Sequence, residues 1–240
     1  MRPFTNAQNL RTVNPLCRYE FMMSLGISCG QITSLNIPKV DPISWDNKFD
    51  ILNRCSSLKI LSIYFSQDTA PIPQNFSEAS PLQSLTILCS NKALRAITES
   101  NPRIWAQVSV LNLHEVIFED DTDIYAVLQH FSAMTDLSIK LPPRQGSSRR
   151  GVPRSHSIAL PHLEYLSLRL VDPSSDVPRA LHVPPLTRLK IENQGPTSDL
   201  TAAQEMISSG PGPGPCSLSS FSLQVVEGGC FQGTRGAART

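Results

Sequence analysis

No run of apolar residues in this 240-residue chain is long enough to span a bilayer, and Met1-Arg2-Pro3-Phe4-Thr5-Asn6 lacks the basic segment and apolar stretch of an export signal. The expectation is a chain with no membrane contact, resident in the cytoplasm or nucleus. Net charge is only +1 and charged residues make up 17%, so no global field draws the chain to nucleic acid or to anionic lipid. The six cysteines include no C-x-x-C pair, and in that compartment reduced thiols are expected rather than a disulfide framework. Catalytic signatures are missing too: there is no G-x-S-x-G, no G-x-x-x-x-G-K, no H-E-x-x-H, and no G-x-G-x-x-G after a strand. His114, His130, His156, His162 and His182 are scattered, without a partner at metal-ligand spacing. Neither an enzyme nor a bound cofactor or metal is expected.

What the chain does have is one hexapeptide, apolar-x-x-apolar-x-apolar, repeated eight times. It reads Ile32-Leu35-Ile37, Leu58-Leu61-Ile63, Leu82-Leu85-Ile87, Val108-Leu111-Leu113, Met134-Leu137-Ile139, Leu163-Leu166-Leu168, Leu186-Leu189-Ile191 and Leu218-Phe221-Leu223. The middle residues are 26, 24, 26, 26, 29, 23 and 32 positions apart, mostly within the period of leucine-rich repeats. None of the 20 prolines falls inside a copy, as a paired strand requires of a residue with no backbone donor. A second column, six residues before each middle position, is mostly apolar as well: Cys29, Cys55, Ala79, Trp105, Phe131, Leu160 and Val183. Cys29 and Cys55 are therefore expected to act as small core hydrophobes.

Between the copies the spacing turns helical. Ile124, Val127, Leu128 and Phe131 form one stripe, Trp45, Phe49 and Leu52 a second, and Ala93, Leu94 and Ile97 a third. Leu200, Ala203 and Ile207 suggest another helix. Each unit thus reads as strand, turn, helix, and neither half can bury its apolar side without a stacked neighbour. The fold class expected is α/β, a leucine-rich-repeat solenoid with a parallel concave sheet and helices or irregular turns on the convex side.

Three regions follow. Residues 1–31 are a weak first repeat or N-terminal cap, in which Ala7, Leu10 and Thr12 take the apolar places and Arg18 to Leu25 the helix. Residues 32–209 are the array. Residues 210–240 hold a weak last repeat and a Gly/Pro-rich tail too poor in apolar side chains to cap it, and disorder is expected there, as in a truncated product. Within the array, residues 141–160 form an insertion whose Arg144, Arg149, Arg150 and Arg154 stand among serines. A solvated flexible loop is the expectation; a localisation signal, a phosphorylation-controlled segment or an anion contact are the alternatives. Glu119-Asp120-Asp121-Thr122-Asp123 lacks the glycine and closing glutamate of a calcium loop, Ser132 standing in the latter's place. It reads better as the capped start of a helix.

Strand alternation then selects a candidate binding face. If the middle residue and the one two later point inward, Asn36, Ser62, Thr86, Asn112, Ser138, Ser167, Lys190 and Ser222 form an outward central column. Tyr64, Leu88, His114, Lys140, Tyr165, Arg169 and Arg188 flank it. Tyr and Arg are the expected anchors, and the gathering of Lys140, Arg169, Arg188 and Lys190 in later copies favours an acidic or phosphorylated protein target.

The segments PHLEYLSLRLVDP, SSLKILSIYFSQD and PPLTRLKIEN, each a polar or proline-containing lead before L-x-x-L-x-L, resemble the leucine-rich-repeat region of fungal F-box proteins of the basidiomycete type. The resemblance covers about residues 30–195. It implies substrate recognition for a ubiquitin ligase: in such proteins an F-box engages a Skp1-like adaptor while the repeats hold the target. Residues 1–31 carry no recognisable F-box, so an adaptor is implied only for a longer parent chain. The expected function is non-catalytic protein binding by a monomer; the alternative is a structural or inhibitory repeat scaffold unrelated to ubiquitin.

Overall fold

A strand turns successive side chains to opposite faces, so the apolar-x-apolar end of each hexapeptide commits one face of its strand to a core. The protein's computed structural model describes residues 12–13, 29–40, 55–65, 81–89, 91–100, 102–114, 116, 121–141, 158–170, 181–183, 186–193 and 219–225. A strand forms at every copy: β2 (Ser34–Val40), β3 (Ile60–Phe65), β4 (Ser84–Leu88), β5 (Val110–Leu113), β6 (Asp136–Leu141), β8 (Tyr165–Leu170), β10 (Arg188–Asn193) and β11 (Ser220–Val225). With β1 (Thr12–Val13) they make one nine-stranded sheet in the order β1-β2-β3-β4-β5-β6-β8-β10-β11. Every pairing is parallel. Strands that pair in parallel with the next one along the chain require each connection to return behind the sheet, which is a solenoid-like stack.

Register follows the hexapeptide. Leu35, Leu61, Leu85, Leu111, Leu137, Leu166, Leu189 and Phe221 stand opposite one another from strand to strand. The weak first copy forms a strand, but Val13 rather than Leu10 stands opposite Leu35. Pro38 lies inside β2, one residue beyond its hexapeptide, and the register shifts between Ile37 and Val40. A proline supplies no N–H, so the ladder is interrupted where it sits.

All apolar positions of the first seven hexapeptides are buried and belong to one continuous core. At ~2 kcal/mol for each fully buried aliphatic side chain, these columns dominate the favourable side of folding. Trp105, Phe131, Leu160 and Val183, with Cys55, are buried too, which bears out the second column at these five positions; the Cys29 side chain and Ala79 lie outside the described residues. Each carbonyl of these five accepts the N–H three residues on, at 3.1–3.3 Å, turning the chain into the next strand. Cys55 and Cys89 are buried thiols outside any disulfide.

The coils are also joined by a hydrogen-bond ladder just before the strands. The carbonyls of Thr33, Lys59, Gln83, Ser109, Thr135, Glu164 and Thr187 each accept two consecutive N–H groups of the next coil at 2.8–3.1 Å. Where the following coil has Ser or Thr at this position, its hydroxyl donates to the same oxygen: Ser109 to Gln83, Thr135 to Ser109, Thr187 to Glu164 and Ser219 to Thr187.

Behind the sheet the coils differ. Helix α1 (Asn91–Ser100) turns Leu94 and Ile97 into the core, as their spacing predicts. Thr98, buried beside them, turns its hydroxyl back to the carbonyls of Leu94 and Arg95 (3.1 and 2.9 Å). The short α2 (Pro102–Trp105) carries Trp105, whose Nε1 donates to the Ile97 carbonyl at 3.0 Å and whose ring lies 6.3 Å from that of Phe131. Helix α3 (Asp121–Leu128) begins within the acidic run and buries Ile124, Val127 and Leu128; Phe131 follows in the turn. In the later coils two-residue strands, β7 (Ile158–Ala159) and β9 (Leu181–His182), pair in parallel behind the sheet. The helices expected over 18–25 and 200–207, the Trp45 stripe, most of the insertion and the tail beyond 225 lie outside the described residues.

Candidate functional site

Because the inward positions are fixed by the core, three columns of each strand are left on the opposite face: the residue before the middle leucine, the one after it, and the one two further on. The first column reads Ser34, Ile60, Ser84, Val110, Asp136, Tyr165, Arg188 and Ser220. All of these are at least partly exposed. In the central column Asn112 Nδ2 donates to Thr86 Oγ1 at 3.3 Å, a polar contact between adjacent strands. Asn36 Oδ1, in the same column, is enclosed without a hydrogen-bond donor among the described residues.

Each sequence-predicted site residue lies on this face or at its rim. Tyr64 of β3 stands opposite Leu88 of β4, both half-buried. Asn112 lies in β5, and His114 follows that strand, exposed, its N–H bonded to the Ile87 carbonyl at 3.1 Å. Lys140 of β6 stands opposite Arg169 of β8, and Tyr165 of β8 opposite Arg188 of β10. The Arg188 guanidinium lies over the Tyr165 ring, 4.9 Å from its centre. Lys190 is the one charged side chain described in the central column. The last four basic residues are thus brought together on three neighbouring strands, β6, β8 and β10, whereas Tyr64 and Leu88 lie on β3 and β4 and His114 follows β5, the strand that adjoins β6.

Two carboxylates stand among those cations. Asp136 Oδ1 accepts from Arg188 at 3.3 Å, and its other oxygen accepts from the Thr135 hydroxyl at 2.8 Å. Glu192 lies 3.7 Å from Arg169 Nε and accepts a hydrogen bond from Lys190. That bond holds the Glu192 carboxyl below its ordinary 4.5, with the charges of Lys190 and Arg169 acting in the same direction against desolvation. The same bond and the charge of Glu192 raise Lys190 above its ordinary 10.5. The patch is therefore mixed in sign, with four cations around two acids, and not the purely basic cluster of the sequence reading.

Asp136 and Glu192 were missed, as were the outward Ile60 and Val110, although alternation alone places all four on this face. The signal was present: Asp136 shares Tyr165's column and Glu192 shares Arg169's. Among the described residues, no group of His, Cys, Asp or Glu side chains has the arrangement of a metal site, and no helix is long and apolar enough to cross a membrane. Compared with models of known protein families and with curated proteins, the chain matches none.

Proposed function

We propose that this chain is a leucine-rich-repeat module that binds another protein, without catalysis, through the exposed face of its sheet, in the manner of the substrate-recognition repeats of an F-box-type ubiquitin ligase receptor. The observation that carries the reading is the strict register of the hexapeptides. In the first seven copies one face is spent on the core, while Phe221 of the eighth is 49% exposed, and this leaves a broad outward face whose side chains differ from strand to strand. Such a surface has room for recognition because its substitutions do not disturb the fold. Tyr165 and Arg188, stacked and tied to Asp136, present a preordered aromatic and guanidinium pair of the kind that anchors interfaces. The ubiquitin-related part of the reading rests on the resemblance in PHLEYLSLRLVDP and its companion segments. In a leucine-rich-repeat horseshoe this face is the concave one, and the target would be an acidic or phosphorylated protein segment held by a cytoplasmic or nuclear monomer.

Affinity capture from a cell lysate tests this, using the chain beside a variant with Tyr64, Tyr165, Arg169 and Arg188 replaced by Ala, both checked for folding by circular dichroism. Partners lost by the variant support binding at this face. Cullin or Skp1-like subunits among the partners of a longer parent chain would support ubiquitin ligation, and their absence there would favour the structural or inhibitory scaffold. If both forms capture the same proteins, the face is not the site.

A further inference from the structure

The character of the outward face changes between β5 and β6. On β3, β4 and β5 its columns carry Ile60, Tyr64, Leu88 and Val110 among Ser, Thr and Asn, with His114 at the rim, and no carboxylate, lysine or arginine. Ile60 is 47% exposed, one of two large apolar side chains so open among the described residues. On β6, β8 and β10 the same columns carry four cations and two carboxylates. Neither half resembles a uniformly solvated surface: one offers apolar contact, the other an excess of positive charge. The span from β3 to β10 is five strand spacings, roughly 24 Å, which an extended segment of about seven residues covers.

Building on the protein-binding reading above, we infer that the face takes one extended peptide segment crossing the strands, with an apolar or aromatic side chain against Ile60, Tyr64 and Leu88 and acidic side chains at Arg169 and Lys190. Apolar contact without charge would leave the cations of β8 and β10 to water. Charge alone would leave Ile60 and Leu88 uncovered, and a segment bearing both complements the whole face. Glu192 sets the selectivity at the charged end. It already occupies both Arg169 and Lys190, so an incoming anion must share these cations with a resident carboxylate. A single acidic residue gains little there, and a run of acids or a phosphate, with more charge, gains more.

Panning a phage-displayed random peptide library on the full chain, followed by fluorescence anisotropy of the enriched peptides, tests the inference. The expected winners combine an apolar or aromatic residue with acidic residues several positions away. Leu88→Ser and the double change Arg169→Gln with Lys190→Gln should each weaken them by about tenfold, a loss of ~1.4 kcal/mol, and exchanging the acids for Asn and Gln should make the second change silent. Glu192→Gln should strengthen binding several-fold, a gain that misfolding cannot mimic, and a phosphoserine version should gain further. Winners of a different pattern that still depend on these face residues overturn the two-ended ligand and leave the binding face standing. Winners indifferent to all of these changes, or none at all alongside lysate capture unaffected by the face variant, overturn both.

Discussion

Leu137 and Ser138 are neighbours in β6, yet they belong to two surfaces that obey different rules. The inward column of Leu137 holds leucine on seven strands, all buried to 2% exposure or less. Ser138's outward column holds Asn, Ser, Thr or Lys at the same strands, and the columns beside it range from Ile60 to Arg188. One backbone thus carries a face fixed by packing and a face free to vary. Removing methylenes from a close-packed layer leaves a cavity the neighbours cannot fill, whereas water fills any space left outside.

The comparison breaks most sharply at adjacent positions. Leu137→Ala should cost about 3 kcal/mol in urea-induced unfolding, and Ser138→Ala less than about 0.5 kcal/mol; similar costs for the two would overturn the inward–outward assignment. Behind the sheet, Trp105→Phe keeps most of the ring but loses the bond to the Ile97 carbonyl. A loss of about 1–2 kcal/mol is expected by the same measurement. Thr135→Val removes a hydroxyl that reaches both the Ser109 carbonyl and Asp136 while preserving shape, so about 0.5–1 kcal/mol should be lost. On the outward face Arg188→Ala should leave unfolding within about 0.5 kcal/mol, because its pair with Asp136 is solvent-exposed, while partner capture falls.

The smallest effect is a titration. Glu192's folded pKa is depressed, so its contribution is present above its unfolded value near 4.5 and is lost as pH falls through the lower folded one. Lys190's is raised, so its contribution is present below its unfolded value near 10.5 and is lost as pH rises through the higher folded one. Carboxyl carbon shifts followed by NMR should place the Glu192 midpoint below 4.5, and Lys190→Gln should move it back upward. An unmoved midpoint would show that the hydrogen bond from Lys190 is not what depresses it.

The inward half of the molecule was legible in the sequence because burial imposes a period. Seven hexapeptides, their strand register and the column of Trp105, Phe131 and Leu160 can be read from apolar spacing alone. The reverse side was less legible. Helical spacing marks α1 and α3, but Ile158–Ala159 and Leu181–His182 are too short to carry any period, and they pair only because stacking brings them side by side. At the weak first copy no strong apolar triplet fixes the register, and the structure sets it by pairing Val13 with Leu35. On the outward face the positions were predictable and their partners were not. Ion pairs such as Arg188 with Asp136 join residues 52 positions apart, and only the stacking of β6, β8 and β10 shows that the acids answer the bases.

The shared-carbonyl ladder has a further consequence. From β2 to β11 each coil meets the next through the same donor pair and the same acceptor, whatever the remaining side chains are. Between β4 and β6 the interval is 26 residues, twice in succession. Recombination that deleted or duplicated one such unit would rejoin edges that share this backbone hydrogen-bond pattern, so the length of the array can change in whole steps. A gene encoding this fold can therefore widen or narrow its outward face by copying, without inventing a new way to hold the chain together.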